Sequence, residues 1–257
     1  MKIGLISDIH GNLHALKAVL AALDRRNVDM ILCAGDLVGY GAHPIGIIGL
    51  VRSTGIPCVA GDCDTLVAAN GRRTAATPRP DLADPVRDLT LEWTRRNLTE
   101  RHRSYLRHLP HALEYRFGAV RMQVFHAGVD EVDAWFTPED PEEMAHLAAC
   151  VASDVVVLGH THRPFTHVHE SHSGSKTLFI NPGAVGVGTD GDPRASYAVF
   201  DTRTRRVEFG KVDYALAMAI YSIEESGMPT ESADLLLYGG PDFTAAIPAR
   251  ARALTAA

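Results

Sequence analysis

The sequence has few cysteines, few tryptophans and no long hydrophobic run. A helix that crosses a bilayer needs roughly 18 consecutive apolar residues, and the apolar runs of this 257-residue chain are much shorter, which excludes a membrane span. Its four cysteines form no CxxC pair, which argues against a thiol metal site, and the sequence start does not have the form of a signal peptide. We therefore expect a reduced, cytoplasmic protein without membrane contact.

Charge of one sign is also not concentrated anywhere along the chain. The 25 basic and 31 acidic residues give a formal net charge of −6 without long runs of either sign. This pattern does not favour a nucleic-acid-binding surface. With 46% hydrophobic and 22% charged residues, disordered and fibrous classes are excluded. At roughly 150 residues per domain, the length predicts one large domain or one domain with an appended piece.

Short apolar runs and helical periodicities alternate in the first part of the chain, and strands dominate the second part. Strands are predicted at 3–7, 30–34, 57–60, 112–117, 120–125, 155–158, 165–169, 177–180, 195–200 and 206–212. Helices are predicted at 13–23, 45–51, 84–97, 99–109, 139–151, 214–226 and 230–238. This order predicts an α/β fold in which a second sheet packs on the first.

Histidine is abundant, with 13 residues, and several histidines and aspartates stand directly after predicted strands. The metal-capable residues at these positions are Asp8, His10, Asp36, Asp62, His126, His160 and His162. Loops at the carboxyl ends of parallel strands converge on one crevice. These seven donors exceed the needs of one ion and suit two ions that share a carboxylate. Two ions roughly 3.5 to 4 Å apart can hold a hydroxide and clamp a phosphate, which is a hydrolase arrangement.

Six motifs carry a family resemblance. They are DIHGN at 8–12, GDLVGYG at 35–41, GDCD at 61–64, FHAG at 125–128, GHTHRP at 159–164 and NPGAVG at 181–186. In this order they resemble the signature of the calcineurin-like metallophosphoesterases. The bacterial single-domain group that is similar to diadenosine tetraphosphatases and small phosphodiesterases is the nearest in character. The resemblance extends from residue 1 to about residue 212.

The resemblance implies a fold and a distribution of ligands. The implied fold is a two-sheet β-sandwich flanked by helices, in the order α/β/β/α. Asp8, His10 and His162 would bind the first metal, Asp62, His126 and His160 the second, and Asp36 would bridge them. We expect this domain to cover residues 1–212. Residues 213–257 are expected to form a helical extension packed on the same domain, ending in a loose tail.

Two positions depart from the family pattern. Asp62 stands where the family usually has asparagine, and Cys63 stands where some relatives carry a general-acid histidine. An additional carboxylate should tighten metal binding and weaken the Lewis acidity of the ion. Without the histidine, protonation of the leaving group would be weak, which favours esters with good leaving groups. We expect altered rather than absent activity.

The predicted function is hydrolysis of a phosphate mono- or diester, with nucleotide-type esters among the candidates, by attack of a metal-bridging hydroxide. The cofactors would be two divalent transition-metal ions, manganese first, with iron, zinc, nickel or cobalt as alternatives. Asn12 and Arg163 are candidate catalytic and substrate-binding residues, although Asn12 could equally cap a helix and Arg163 could be a solvated charge. The alternative function is a metal-binding scaffold for protein interactions, as a monomer or homodimer in either case.

Other features of the sequence leave alternatives open. The seven candidate ligands could be unrelated caps and turns, and His167, His169 and His172 could form a third metal site, although exposed hairpin histidines are favoured. Substrate selectivity is expected from the loops at 70–88 and 130–141. These loops contain Arg72, Arg73, Arg79, Trp135 and Phe136, which could bind phosphate and stack a base, or could serve only solvation and packing.

Overall fold

The structure of the protein is a computed structural model that describes residues 1–69, 85–129 and 134–238. The elements are, in chain order, β1 (Lys2–Ile6), α1 (Leu13–Arg25), β2 (Met30–Cys33), α2 (Pro44–Thr54), α3 (Asp62–Ala68), α4 (Pro85–Asn97), α5 (Glu100–Arg107), β3 (Ala112–Phe117), β4 (Val120–Phe125), α6 (Pro141–Cys150), β5 (Val155–Val157), β6 (Phe165–Glu170), β7 (Lys176–Asn181), β8 (Ala195–Asp201), β9 (Val207–Val212), α7 (Leu216–Ser226) and α8 (Glu231–Tyr238). Most of their bounds lie within two residues of the predicted ones.

The strands form two sheets. The first has the strand order β2-β1-β8-β9 and the second the order β3-β4-β5-β7-β6. Strands β1 and β2 are parallel, with Leu5 opposite Leu32, and β4, β5 and β7 are parallel in the second sheet, with Val124 opposite Val157. Strands β8, β9, β3 and β6 pair antiparallel with their neighbours. Each sheet therefore contains one set of adjacent parallel strands.

Three apolar layers hold the elements together. Between the sheets, Leu5 of β1 and Val157 of β5 belong to one fully buried cluster. Leu16 of α1 belongs to a second cluster, in which helices cover the outer face of the first sheet. Met144 of α6 and Phe179 of β7 belong to a third, outside the second sheet. The resulting order of helices, sheet, sheet and helix confirms the predicted α/β/β/α fold.

Helix α1 fixes the loop that follows β1. The Oδ1 atom of Asn12 accepts a hydrogen bond from the backbone N–H of Ala15 at 3.0 Å, which caps the helix. Leu16, Val19 and Leu23 recur at helical spacing and are all buried. Because this apolar face is anchored in the core, the loop over residues 8–12 has a fixed position at the edge of the sheet.

The predicted strand at 57–60 differs from the observed structure. It contributes only one parallel bridge, between Cys33 and Cys58. Pro57 has no N–H to donate, and the N–H of Ala60 donates to the carbonyl of Pro110 instead of to β2. The chain then enters α3 at Asp62, a helix that the hydrophobic pattern did not indicate.

The C-terminal helices pack on the helical face of the first sheet. Ala219 and Ile223 of α7 and Leu235 and Leu236 of α8 are buried in the same cluster as Leu16 of α1. The expected loose tail, from residue 239 onward, lies outside the described residues. Among the described helices, none has both the length and the apolar character that a membrane crossing requires.

Candidate metal centre

All seven candidate ligands converge at one edge of the sandwich, where the parallel strands of both sheets end. Those from the first sheet follow β1 and β2, those from the second follow β4 and β5, and the remaining one starts α3. In chain order they are Asp8, His10, Asp36, Asp62, His126, His160 and His162. Six of them are buried, and His160 is partly exposed. Convergence of both sheets explains how residues separated by up to 154 positions meet.

The backbone at this edge is strained. Eight non-glycine residues of the described chain have positive φ, and five of them are candidate ligands: Asp8, His10, Asp36, His160 and His162. This left-handed conformation is unfavourable for side chains other than glycine. It persists where the surrounding structure enforces it, and such strain concentrates at functional sites.

The first group of candidate ligands consists of Asp8, His10 and His162, whose donor atoms lie within 4.8 Å of one another. The Nε2 atoms of His10 and His162 are 3.0 Å apart. The Nδ1 atom of His10 lies 3.2 Å from the carbonyl of Val38, and that of His162 lies 2.7 Å from the carbonyl of Val187. Hydrogen bonds to these carbonyls fix the proton on Nδ1 and leave the Nε2 lone pairs directed into the centre.

The second group consists of Asp62, His126 and His160, with donor atoms also within 4.8 Å of one another. The Oδ1 atom of Asp62 lies 3.2 Å from Nε2 of His126 and 3.3 Å from Nδ1 of His160. The ring of His126 is oriented by a 2.7 Å contact between its Nδ1 and the carbonyl of Ala34. Here too a carboxylate and two imidazoles converge on one point.

Asp36 lies between the two groups. Its Oδ2 atom is 3.6 Å from Nε2 of His10 in the first group and 3.6 Å from Nε2 of His126 in the second. Its other oxygen, Oδ1, accepts a hydrogen bond from the backbone N–H of Cys63 at 3.0 Å. The carboxylate is thus held with one oxygen equidistant from both groups.

The residues present fit divalent cations. With their protons on Nδ1, the two Nε2 atoms of His10 and His162 face each other as lone pairs, and neither can donate to the other. The Oδ2 atom of Asp8 is buried and has no hydrogen-bond partner. A cation satisfies all of these acceptors at once. Imidazoles and carboxylates without a thiolate suit transition-metal ions.

Burial and charge act differently on the histidines of the two groups. Burial lowers the pKa of His10 to about 4 and holds the pKa of His162 well below its usual value. Burial also opposes the charged form of His126, but the carboxylates of Asp36 and Asp62 raise its pKa well above the usual value. The neighbouring carboxylates therefore favour a proton on His126, and binding of a metal at the second group would release it.

Asp64 supports the centre without being a candidate ligand. Its carboxylate accepts backbone hydrogen bonds from Leu37 at 3.0 Å, Val38 at 3.2 Å and Gly61 at 3.1 Å. Burial raises its pKa to about 6 although these hydrogen bonds favour the charged form. The side chain ties the loop after β2 to the start of α3. Its place in the GDCD motif was the available signal, but the motif alone did not reveal this role.

Arg87 was missed by the sequence reasoning. Its Nη1 atom lies 3.8 Å from Oδ2 of Asp62. Among the described residues, no other arginine or lysine forms an ion pair with a candidate ligand. A weak signal existed, because Arg87 occupies the first turn of a predicted helix, where the helix dipole disfavours a cation.

The two predicted phosphate donors lie in different surroundings. Asn12 is buried, and both polar atoms of its amide are engaged: Oδ1 caps α1, and Nδ2 donates to the carbonyl of Gly186 at 3.1 Å. Arg163 follows His162 directly, but its side chain is 53% exposed and pairs with Glu139 at 3.3 Å. The helix-cap alternative for Asn12 is therefore observed, and a contact of either residue with substrate stays a prediction.

The structure separates the two aromatic residues of the second predicted loop. Phe136 is buried in the apolar cluster around α6. Trp135 is 46% exposed and lies edge-on to His160, with 5.4 Å between the ring centroids. The arginines at 72, 73 and 79 lie outside the described residues.

The candidate third metal site is not assembled. His167 and His169 lie on one face of β6 and are partly buried. Neither they nor His172 belongs to any of the clusters of three or more potential ligands that the described residues form.

Comparison with known proteins gives consistent matches. A model of the calcineurin-like phosphoesterase superfamily domain matches residues 1–205. The crystal structure of a metallophosphoesterase from Sphaerobacter thermophilus is similar, with 31% identity, a TM-score of 0.72, and coverage of 93% of this chain and 100% of that one. A hypothetical protein from Pyrococcus horikoshii OT3 shares the fold at 20% identity, with a TM-score of 0.80 and coverage of 93% and 98%. An uncharacterised protein of Methanocaldococcus jannaschii is 29% identical over an alignment of 249 residues, with coverage of 92% of this chain and 98% of the relative.

Proposed function

The chain belongs to the calcineurin-like phosphoesterase superfamily, and on that premise we propose that it is a phosphoesterase dependent on two divalent metal ions. Its substrate is a phosphate mono- or diester, and nucleotide-type esters are candidates. The first group and Asp36 would hold one ion, and the second group and Asp36 the other. Manganese is the first candidate, because the donors are imidazoles and carboxylates; iron, zinc, nickel and cobalt are alternatives.

One observation carries this proposal. The Oδ2 atom of Asp36 is equally distant, at 3.6 Å, from Nε2 of His10 and from Nε2 of His126. A carboxylate that only stabilised the fold would have no need to face two separate clusters of imidazoles and carboxylates. An oxygen shared between two clusters is what a pair of neighbouring cations requires.

The bound ions would supply positive charge that activates a water molecule and neutralises the oxygens of the phosphoryl group. The chain's own residues prepare this chemistry. The carbonyls of Val38, Val187 and Ala34 orient three of the imidazoles through their Nδ1 atoms. Asp64 holds the loop that carries Asp36, so the donors need little rearrangement when the site is used.

Two predicted donors next to the centre, Arg163 and Asn12, could contact the phosphate group of the substrate. Arg163 follows the last ligand and is exposed, so its guanidinium could reach a phosphate oxygen if it left Glu139. The amide of Asn12 would have to share its N–H group with the carbonyl of Gly186. Of these two predicted donors, Arg163 has the greater freedom to contact substrate.

The test is metal content together with hydrolysis. Purified protein is assayed for bound metals by mass spectrometry and for hydrolysis of p-nitrophenyl phosphate and bis(p-nitrophenyl) phosphate with added manganese. A panel of cyclic nucleotides, dinucleoside polyphosphates and phosphoproteins follows. We expect about two ions per chain, and a loss of at least about a thousandfold in turnover for Asp36→Ala. Asp24→Ala, which removes an exposed carboxylate on α1, is the matched control.

The scaffold function makes the opposite prediction. A protein that binds metal but turns over no ester with any divalent ion would contradict the enzyme and favour a scaffold. Equal turnover of the wild-type protein and the Asp36→Ala variant would also contradict the proposed centre.

A further inference from the structure

The two oxygens of the Asp62 carboxylate face different partners. Oδ1 lies 3.2 Å from His126 and 3.3 Å from His160, the other members of the second group. Oδ2 lies 3.8 Å from Nη1 of Arg87. One oxygen is thus directed at the centre, and the other at a cation outside it.

Arg87 reaches this position from an unfavourable place in its helix. It is the third residue of α4, where the positive end of the helix dipole repels a guanidinium. Its side chain is only 16% exposed. It also pairs with Asp88 at 3.6 Å, but the Asp88 side chain is 60% exposed, so water screens that pair. The partly buried contact with Asp62 offsets part of this unfavourable placement.

Among the described residues, the counter-charge of Arg87 lies at this end of the centre. Within the described part of the chain, neither Asp8 nor Asp36 forms an ion pair with an arginine or lysine, although both carboxylates are buried. The guanidinium of Arg87 is therefore the positive side chain that the described part of the chain places against a carboxylate of the centre.

We propose that Arg87 is a positioning residue that makes Asp62 a charge-compensated, single-oxygen ligand. It holds Oδ2 away from the centre, so that only Oδ1 is presented to a metal ion, and its positive charge offsets part of the carboxylate charge. An uncompensated carboxylate would bind a divalent ion more tightly and reduce the ion's effect on water and phosphate. Arg87 therefore weakens metal binding at the second group while preserving the polarising charge. The metal part of this proposal rests on the proposed function.

A double-mutant cycle tests the pair. The proteins are wild type, Arg87→Met, Asp62→Asn and the double variant, each measured with and without metal. In metal-free protein we expect Arg87→Met to lower the melting temperature by about 2 to 4 °C. In the Asp62→Asn background the same substitution should leave the melting temperature unchanged or raise it, because the arginine there has lost its buried carboxylate.

Metal affinity provides the second measurement. Manganese titration followed by electron paramagnetic resonance should show binding to Arg87→Met about five- to tenfold tighter than to wild type. Turnover at saturating manganese should fall, since the ion is then less polarising. Arg87→Lys restores the charge without the planar fork and should return the affinity to within about twofold of wild type. Asp88→Asn removes the exposed ion pair between Arg87 and Asp88 and should change neither the manganese affinity nor the turnover.

Additive melting-temperature effects in the cycle would overturn the pairing. Unchanged or weaker manganese binding by Arg87→Met would overturn the charge compensation, as would an Asp88→Asn variant that reproduced the effects of Arg87→Met. If Arg87→Met did not fold, the Arg87→Lys variant would be decisive: a manganese affinity more than twofold from that of wild type would overturn the charge compensation. If wild-type protein bound no manganese and hydrolysed nothing, the proposed function would fail, while the cycle in metal-free protein would still test the Asp62–Arg87 pair.

Discussion

The two groups of the candidate metal centre are built by different means. In the first group, both imidazoles donate their Nδ1 protons to backbone carbonyls, and burial keeps the pKa of His10 at about 4. In the second group, the carboxylates of Asp36 and Asp62 raise the pKa of His126, and Arg87 pairs with Asp62. The histidines of the first group are enclosed, and burial favours their neutral form. In the second group, neighbouring charged side chains determine the pKa of His126 and compensate Asp62.

The groups also differ in their access to solvent. The side chain of His10 is 1% exposed, and that of His160 is 14% exposed. Trp135 lies beside His160 and is itself half-exposed. The first group is therefore the more enclosed of the two, and the second group is the one that solvent reaches through His160.

The largest expected difference between the groups is in the response to removing one histidine from each. We expect His10→Ala to lower kcat by about a thousandfold and His160→Ala by about ten- to a hundredfold. Added imidazole should restore part of the activity of His160→Ala only, because that cavity opens to solvent. The measurements are steady-state kinetics with and without imidazole and metal content by mass spectrometry.

His172→Ala, which removes an exposed histidine from a hairpin, is the control and should behave as wild type. Equal rescue of both variants by imidazole would show that the two groups do not differ in enclosure.

The positions of the candidate ligands could be predicted from sequence because they depend on local pattern. Apolar runs of strand length end one or two residues before Asp8 and Asp36, and the sheet then brings such ends together. The role of Arg87 could not be predicted, because it depends on a contact between α4 and α3 that no local periodicity encodes. The amide of Asn12 has both a capping and a catalytic interpretation, and only the structure shows that its Nδ2 also donates to Gly186.

The prediction of a strand at 57–60 was wrong because it also depended on contacts that the local sequence does not encode. Its composition is that of a strand, but strand pairing depends on available backbone donors. Pro57 has none, and Ala60 donates to Pro110. The family resemblance supplied the assignment of ligands to two ions, which composition and spacing alone left open.

An intermediate effect is expected from the backbone that encloses the first group. A Cβ atom at Gly41 would lie 2.3 Å from the carbonyl oxygen of His10, a backbone atom that cannot move aside cheaply. We expect Gly41→Ala to lower the free energy of unfolding by about 2 to 4 kcal/mol and to reduce activity. Urea denaturation of metal-free protein and kinetics with manganese measure the two effects.

Gly49→Ala is the matched control, because a Cβ there meets nothing within 4 Å and the residue lies inside α2. It should raise the free energy of unfolding by about 0.5 to 1 kcal/mol and leave activity unchanged. Should Gly41→Ala resemble Gly49→Ala, the first group would not depend on close backbone contact.

The smallest effect is expected at the open end, where Trp135 is available to a substrate. Base stacking on an aromatic ring contributes about 1 to 3 kcal/mol, and Trp135 is exposed while Phe136 is buried in the core. Trp135→Ala should therefore raise KM about five- to twentyfold for a phosphodiester that carries a purine base. It should not change KM for the same diester without the base, nor should it change the metal content or the melting temperature.

Phe136→Ala, the neighbouring control, should lower the melting temperature without changing KM selectively for the diester that carries the base. An equal rise in KM for both diesters would remove Trp135 from base recognition and leave it only as cover for His160, in which case selectivity must come from another part of the rim.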